Sequence, residues 1–254
     1  MARGRVRAVR PGGLALVVAL AALASAPSQA RAQGNFEIQV YGSEIAAPGQ
    51  TMVELHSNTA VLGTTRTENG IVRTQRAAHE TLEITHGFTP WFETGFYLFT
   101  SIQPDSGWEW VGDHIRPRVR VPASWGWPVG VSLSLEAGYQ RREFSEDTWT
   151  LEIRPIVDQM VGRWYWSFNP ALERSLKGEN ANAGFFFAPA AKVSYDVLPR
   201  VAAGLEYYGD IGPIDHIDRP RGSSLLVKYS RGPNASTSRP SSPARIVCAS
   251  WKFL

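Results

Sequence analysis

The chain has 254 residues, with 26 basic and 23 acidic side chains and a formal net charge of +3 at pH 7. Residues 1–32 hold five arginines and residues 219–254 hold seven bases, both without an acid, so residues 33–218 have 14 bases against 23 acids, a net charge of −9. This charge argues against nucleic-acid binding by the central part, which would need a basic patch, and the single cysteine, Cys248, excludes an internal disulfide framework.

The N-terminus has the pattern of a secretory signal peptide. Four arginines precede the apolar run Leu14–Ala24, and Ala30-Arg31-Ala32 has the small-x-small pattern of a cleavage site. The apolar run is shorter than the roughly 20 residues that a membrane-spanning helix needs. We therefore expect residues 1–32 to be a signal peptide, with cleavage between Ala32 and Gln33, and the remaining chain to be exported.

Residues 33–218 alternate apolar and polar side chains in one segment after another, which is typical of β-strands. Between Val129 and Gln140, for example, valine, leucine, alanine and tyrosine occupy every second position. The sequence therefore predicts an all-β fold. The predicted strands are Phe36–Tyr41, Thr51–Ser57, His79–Phe88, Trp91–Ile102, Gly112–Val121, Val129–Gln140, Thr148–Asp158, Arg163–Ala171, Gly184–Val197 and Val201–Tyr208.

The connections between these strands alternate in length. Short ones are expected at Thr89-Pro90, Pro122–Pro128, Met160–Gly162 and Leu198–Arg200, and longer polar ones at Asn58–Ala78, Gln103–Val111, Arg141–Asp147, Arg174–Ala183 and Asp210–Asp218. This rhythm is typical of an antiparallel up-and-down transmembrane β-barrel, here of about 10–12 strands. Phe36–Tyr41 does not fit the parity of the other strands, so it is either a periplasmic or lumenal segment or evidence that the adjacent turn is placed wrongly.

Large aromatic residues near the strand ends favour a membrane barrel over a soluble β-sandwich. Such residues form girdles at the two membrane interfaces of a barrel. Predicted strands of about 9–14 residues also match a tilted membrane crossing better than an average globular strand of about 5–6. The predicted interface residues are Trp149, Trp164, Trp166, Phe185, Phe187 and Tyr207.

The C-terminal tail, residues 219–254, has a different composition. Of residues 219–245, 16 of 27 are serine, proline or arginine, and only Leu225–Tyr229 has the pattern of a strand. Such a composition is typical of disordered segments. Two interpretations stay open, a basic loop followed by a final strand and a shifted reading frame.

Four segments carry a resemblance to a known group of proteins. They are Phe36–Glu44, His79–Gly87, Val111–Arg118 and Gly204–Gly209. Together they resemble an uncharacterised family of bacterial outer-membrane β-barrel proteins, the transporter-like barrels, over roughly residues 34–216. The resemblance implies location and fold and supplies no catalytic residues. The tail departs from the family's strand-ending pattern.

The polar strand faces would line the lumen of such a barrel, where charged groups must pair or contact water. A water-filled passage for small charged solutes, biased by a ladder of arginines, is one interpretation; a non-conducting barrel with a paired-charge interior is the other. The predicted lumen residues are Glu83, Arg116, Arg118, Arg120, Glu136, Glu152, Arg154, Asp158, Arg163, Lys192, Asp196 and Glu206.

Two further classes of function, an enzyme and a soluble binding module, are less consistent with the sequence. A barrel lipid hydrolase needs a nucleophile beside a base, but His56 and Ser57, like Asp113 and His114, are strand neighbours that point to opposite faces. A secreted β-sandwich binding module would use exposed tryptophans to stack on sugar rings. Because no nucleophile lies beside a base, we expect no enzymatic activity. We also expect no cofactor or metal, and membrane lipid and small solutes as the partners.

Overall fold

The computed structural model describes residues 39–60, 63–199, 201–216, 222–231, 245–246 and 250–252. It contains thirteen strands, and two short 3-10 helices lie at Ala123–Trp125 and Ile214–His216. The predicted signal peptide and its cleavage position lie outside the described residues. The strands are β1 (Thr51–Ala60), β2 (Ala78–Thr89), β3 (Phe92–Gln103), β4 (Gly107–Arg120), β5 (Gly130–Gln140), β6 (Asp147–Val161), β7 (Trp164–Gly178), β8 (Phe185–Leu198), β9 (Val201–Asp210), β10 (Gly212–Pro213), β11 (Gly222–Arg231), β12 (Arg245–Ile246) and β13 (Ser250–Lys252).

The strands form one antiparallel, up-and-down sheet that curls into a half-barrel. From β1 to β9 each strand pairs with the next one along the chain, and β11 pairs with β9. The predicted all-β, antiparallel up-and-down architecture is therefore confirmed. In the tail, β11 includes the predicted strand Leu225–Tyr229, whereas β12 and β13 lie parallel to β1, with Glu54 opposite Arg245.

Two predicted loops are shorter than expected. β4 begins at Gly107, so only Pro104–Ser106 separates it from β3, and β7 continues to Gly178. The assignment of Gln103–Val111 and Arg174–Ala183 as loops was therefore wrong for Gln103 and Gly107–Val111 and for Arg174–Gly178. Backbone pairing with the neighbouring strand, for example Trp108 with Ile102, extends both strands despite their polar composition. Tertiary pairing of this kind overrides local preference.

The alternation of burial in this sheet is opposite to that of a soluble protein. In β4, Arg116 and Arg118 are 3% and 4% exposed, whereas the neighbouring Ile115 and Val119 are 53% and 39% exposed. The other long strands follow the same rule, with serine, threonine, glutamate and histidine on the buried concave face and leucine, valine and phenylalanine on the exposed convex face. The concave face is therefore mainly polar, apart from a buried cluster of Tyr97, Phe99 and Val111, and the outer surface is mainly apolar.

Candidate functional site

The segment Gln39–Ala46, called the strap here, lies against the polar concave face instead of joining the sheet. It is followed by the turn Ala47–Gln50, in which Gly49 has a φ of 76° and donates to the carbonyl of Gly87 at 2.7 Å. A positive φ favours glycine at that position. The prediction of a strand at Phe36–Tyr41 was wrong for Gln39–Tyr41, and Phe36–Ile38 lie outside the described residues.

Side chains of the sheet satisfy the strap's backbone groups, which explains why it needs no strand partner. The Tyr41 amide donates to Oδ1 of Asn169 at 2.8 Å, and Nδ2 of Asn169 donates to the Tyr41 carbonyl at 3.0 Å. The amide and hydroxyl of Ser43 both donate to Asp158, at 3.0 and 2.5 Å. The amide of Ala46 donates to Glu93 at 2.6 Å. The strap thus connects β3 on one side of the half-barrel with β6 and β7 on the other.

The ring of Tyr41 lies among three arginines. The guanidinium carbons of Arg116, Arg154 and Arg118 are 4.6, 5.2 and 5.8 Å from its centroid. The Tyr41 hydroxyl is 3.2 Å from that of Tyr97 on β3. Cation–π contacts of about 1–2 kcal/mol each are expected when they are shielded from water, and Tyr41 is 5% exposed. This ring is therefore the main side-chain anchor of the strap.

The predicted arginine ladder of β4 is paired at every step. Arg116 Nη2 lies 2.6 Å from Oε1 of Glu83, and Arg118 Nη1 lies 3.6 Å from Glu93. Arg120 Nη1 lies 2.9 Å from Oε2 of Glu44, a strap residue. Arg118 also donates to the backbone carbonyls of Gly42 and Glu44. Arg116 and Arg118 thus pair with carboxylates of the sheet, and the strap contacts Arg118 through two backbone carbonyls and Arg120 through Glu44.

Most of the other predicted lumen residues also face the interior in pairs. Glu152 contacts Arg154 at 2.5 Å, Glu206 contacts Lys192 at 3.4 Å, and Glu136 contacts Nδ1 of His114 at 2.6 Å. Asp158 accepts from Tyr165 at 2.8 Å in addition to its strap contacts. Asp196 is half-buried on β8.

Arg163 has a different environment from the other predicted lumen residues. It is exposed, and it lies at the turn between β6 and β7. Its guanidinium stacks on the ring of Tyr195 at 4.8 Å and donates to the carbonyl of Val197 at 2.5 Å.

Several interior residues were not singled out from the sequence. Glu93 lies at the start of the predicted strand Trp91–Ile102. Tyr41 ends the predicted strand Phe36–Tyr41 and Glu44 follows it, so the inward direction of these three side chains was not apparent. Asn169 sits on the polar face of an alternating strand, a signal that could have identified it. His79 Nδ1 and the Ser101 hydroxyl also meet, at 3.3 Å, but Ser101 is fully buried and its hydroxyl also contacts the carbonyl of Ala78, so this pair offers no accessible nucleophile.

Aromatic side chains form two bands near the two ends of the strands. One band surrounds the short turns and includes the ring contacts of Phe88 with Phe92, of Trp125 with Trp127 and of Trp164 with Tyr195. The other lies near the longer loops, where Tyr139 contacts both Trp110 and Trp149. Of the predicted interface residues, Trp149, Trp164 and Tyr207 are exposed, and Trp166, Phe185 and Phe187 are half-buried.

Comparison with known proteins gave no relative: no family model, curated protein or solved structure matches this chain. Within the described ranges, none of the helical segments has the length and apolar character needed to span a bilayer.

Proposed function

We propose that the protein is an integral β-barrel of a bacterial outer membrane, exported through the N-terminal signal peptide and belonging with the transporter-like barrels that its sequence resembles. The observation that carries this proposal is the inverted burial, with arginine and glutamate inside and isoleucine, leucine and phenylalanine outside. In water, this arrangement would leave many large apolar side chains of the convex face uncovered, whereas soluble monomers rarely expose a contiguous apolar patch larger than a few hundred Å². Lipid chains are the solvent in which such a surface is stable.

The strand lengths and the aromatic bands support the same location. Strands β5 to β8 have 11–15 residues. At about 3.3 Å per residue and a tilt of about 40°, 11 residues span about 28 Å, close to the height of an outer-membrane apolar band. The two aromatic bands lie where the bilayer interfaces would be, with the aliphatic residues between them.

For the interior, we propose a polar passage for small charged solutes that the strap closes. Beside the strap, a cleft of about 270 Å³ opens near the short turns, lined by Ser43, Glu44, Arg120 and Asp158 among others. A solute entering there would meet charged groups that the strap already contacts. Release of the strap would expose Arg118 and Asp158, which bind its backbone, to that solute.

Bilayer conductance of two strap variants tests this closure, with Cys248 replaced by serine to remove the only native thiol. In Ser43→Cys/Gly130→Cys, a β-carbon at position 130 would lie 3.1 Å from that of residue 43 and would overlap Oδ1 of Asp158, so a disulfide forms once the Asp158 carboxylate moves aside and the two β-carbons separate by a few tenths of an ångström. We expect no conductance from the oxidised protein and stable steps after reduction. A variant without Gln39–Ala46 should conduct under both conditions.

The alternative function is a non-conducting structural barrel, and the complete pairing of the β4 arginines favours it. Silence of both the reduced protein and the strapless variant, in preparations with normal folded content, would establish that alternative. Conductance by the oxidised protein would show that the strap does not close the passage. If the strapless barrel conducts, Arg118→Glu should shift its ion selectivity towards cations, whereas the exposed Arg163→Glu should change it little.

A further inference from the structure

Three potential metal ligands lie together on the concave face of β1 and β2. Glu54 and His56 are two residues apart on β1, so they share one face of the sheet, and Glu83 on β2 lies directly opposite Glu54. One ligand atom from each of the three side chains lies within 4.8 Å of the others. Two carboxylates placed opposite one another across a strand pair repel; Arg116 lowers that repulsion from the side of Glu83, and a metal ion bound to both carboxylates would lower it further.

The neighbours of Glu83 fix the direction of its carboxylate. Oε1 accepts from Nη2 of Arg116 at 2.6 Å and from the hydroxyl of Thr85 at 2.8 Å. Oε2 is buried and accepts no hydrogen bond from the described residues, and the side chain as a whole is 3% exposed. In a metal site, hydrogen bonds to neighbouring residues typically orient a carboxylate so that its other oxygen can bind the metal.

The second carboxylate oxygen of Glu83, Oε2, lies next to the imidazole of His56. Oε2 and Nε2 are 3.4 Å apart, and Nε2 is likewise buried without a hydrogen bond from the described part of the chain. An ion with tetrahedral ligands at about 2.1 Å places neighbouring ligand atoms about 3.4 Å apart. The observed separation therefore fits two ligands of one tetrahedral ion.

We infer that Glu54, His56 and Glu83 form a binding site for a divalent first-row transition ion of the Zn²⁺ type. One imidazole nitrogen with two carboxylate oxygens suits zinc, whereas Ca²⁺ and Mg²⁺ prefer oxygen ligands alone. Three protein ligands leave a fourth position for water. Arg116 stays outside the coordination sphere because it binds the other oxygen of Glu83.

The site is tested by equilibrium binding of Zn²⁺ to the full-length mature protein in detergent, in the Cys248→Ser background, with Ca²⁺ and Mg²⁺ as comparison ions. We expect one Zn²⁺ per chain, and Co²⁺ in its place should give the visible absorption of a tetrahedral site. His56→Gln should weaken Zn²⁺ binding about tenfold or more. The matched control is His79→Gln, which removes another buried, inward-facing histidine and should leave the affinity unchanged.

The alternative to a metal site is a simple ion pair between protonated His56 and Glu83, in which Glu54 has no role. The Glu54→Gln substitution distinguishes these two alternatives. This substitution leaves both the His56–Glu83 and the Arg116–Glu83 contacts in place, so the fold should be kept, but Zn²⁺ binding should weaken about tenfold. Absence of stoichiometric Zn²⁺ binding in the folded parent, or an affinity unaffected by both His56→Gln and Glu54→Gln, would overturn the inference. The result does not depend on the membrane location or on conductance.

Discussion

Ile115 and Arg116 are consecutive residues of β4 with opposite surroundings: Ile115 is 53% exposed on the convex face, and Arg116 is 3% exposed and bonded to Glu83. In a protein that folds in water, the apolar residue of such a pair would be the buried one. Substitutions at these two positions therefore test whether water or lipid surrounds the convex face of the sheet.

Ile115→Lys should impair insertion of the protein into lipid vesicles. A lysine on the lipid-facing side near the middle of a membrane barrel costs about 2–4 kcal/mol, whereas the same change at an exposed position in water stays within about 0.5 kcal/mol. The yield of folded protein and its urea midpoint in vesicles measure the effect. Ala123→Lys, in the exposed turn between β4 and β5, is the matched control and should fold like the parent. Equal behaviour of the two variants would contradict a lipid-facing Ile115.

Arg116→Met should destabilise the protein by about 3 kcal/mol, because it leaves the buried carboxylate of Glu83 without its strongest partner. Arg142→Met is the comparison, since Arg142 and Glu179 form an exposed pair with side chains 45% and 51% accessible. Such a pair contributes less than about 1 kcal/mol. Urea unfolding of both variants under identical lipid conditions checks the difference. Losses of equal size would show that the interior pairs are as well hydrated as the surface ones.

The alternation of apolar and polar residues was sufficient to predict the antiparallel sheet, because every second residue of a strand lies on the same face. Arg116, Arg118 and Arg154, which the alternation places on the polar face, are all buried in the structure. Strand ends were less predictable: Gly107–Val111 and Arg174–Gly178 continue their strands because a neighbouring strand supplies hydrogen bonds, which is not visible in the local sequence.

The strap shows why the interior was only partly predictable. Its residues have the composition of a strand, and the bonds that keep it out of the sheet come from Asn169, Asp158 and Glu93, which lie 47 to 128 positions away along the chain. The cluster of Glu54, His56 and Glu83 was not predictable for a similar reason. The register between β1 and β2, which the local sequence does not show, places Glu54 opposite Glu83.

Gly138→Ala should disturb the contact between His114 and Glu136. A β-carbon at position 138 would overlap the imidazole of His114 and the carbonyl oxygen of Asp113, both on the adjacent strand, and overpacking costs about 1–3 kcal/mol. Unfolding free energies of Gly138→Ala, His114→Ala and the double variant measure the coupling. The double variant should cost less than the two single changes together. Additive costs would mean that the glycine is required for another reason.

Asn169→Ala should loosen the strap. It removes both hydrogen bonds to the backbone of Tyr41, each contributing about 1 kcal/mol, so the amides of Tyr41 and Ser43 should exchange with deuterium about tenfold faster or more. The matched control is Asn180→Ala, which removes the hydrogen bond from Nδ2 of Asn180 to Asp147 in a loop outside the strap and should leave strap exchange unchanged. Fast exchange of the strap in the parent protein would contradict its place in the interior.

The central claim is that the apolar convex face contacts lipid, and folding into vesicles tests it most directly. Urea-unfolded mature protein would be diluted into phospholipid vesicles, floated on a density gradient, extracted with carbonate and run on a gel with and without heating. The account predicts that the protein floats, resists extraction and migrates differently when unheated, as folded membrane barrels do. A monodisperse protein that refolds in buffer without lipid or detergent and stays at the bottom of the gradient would contradict it.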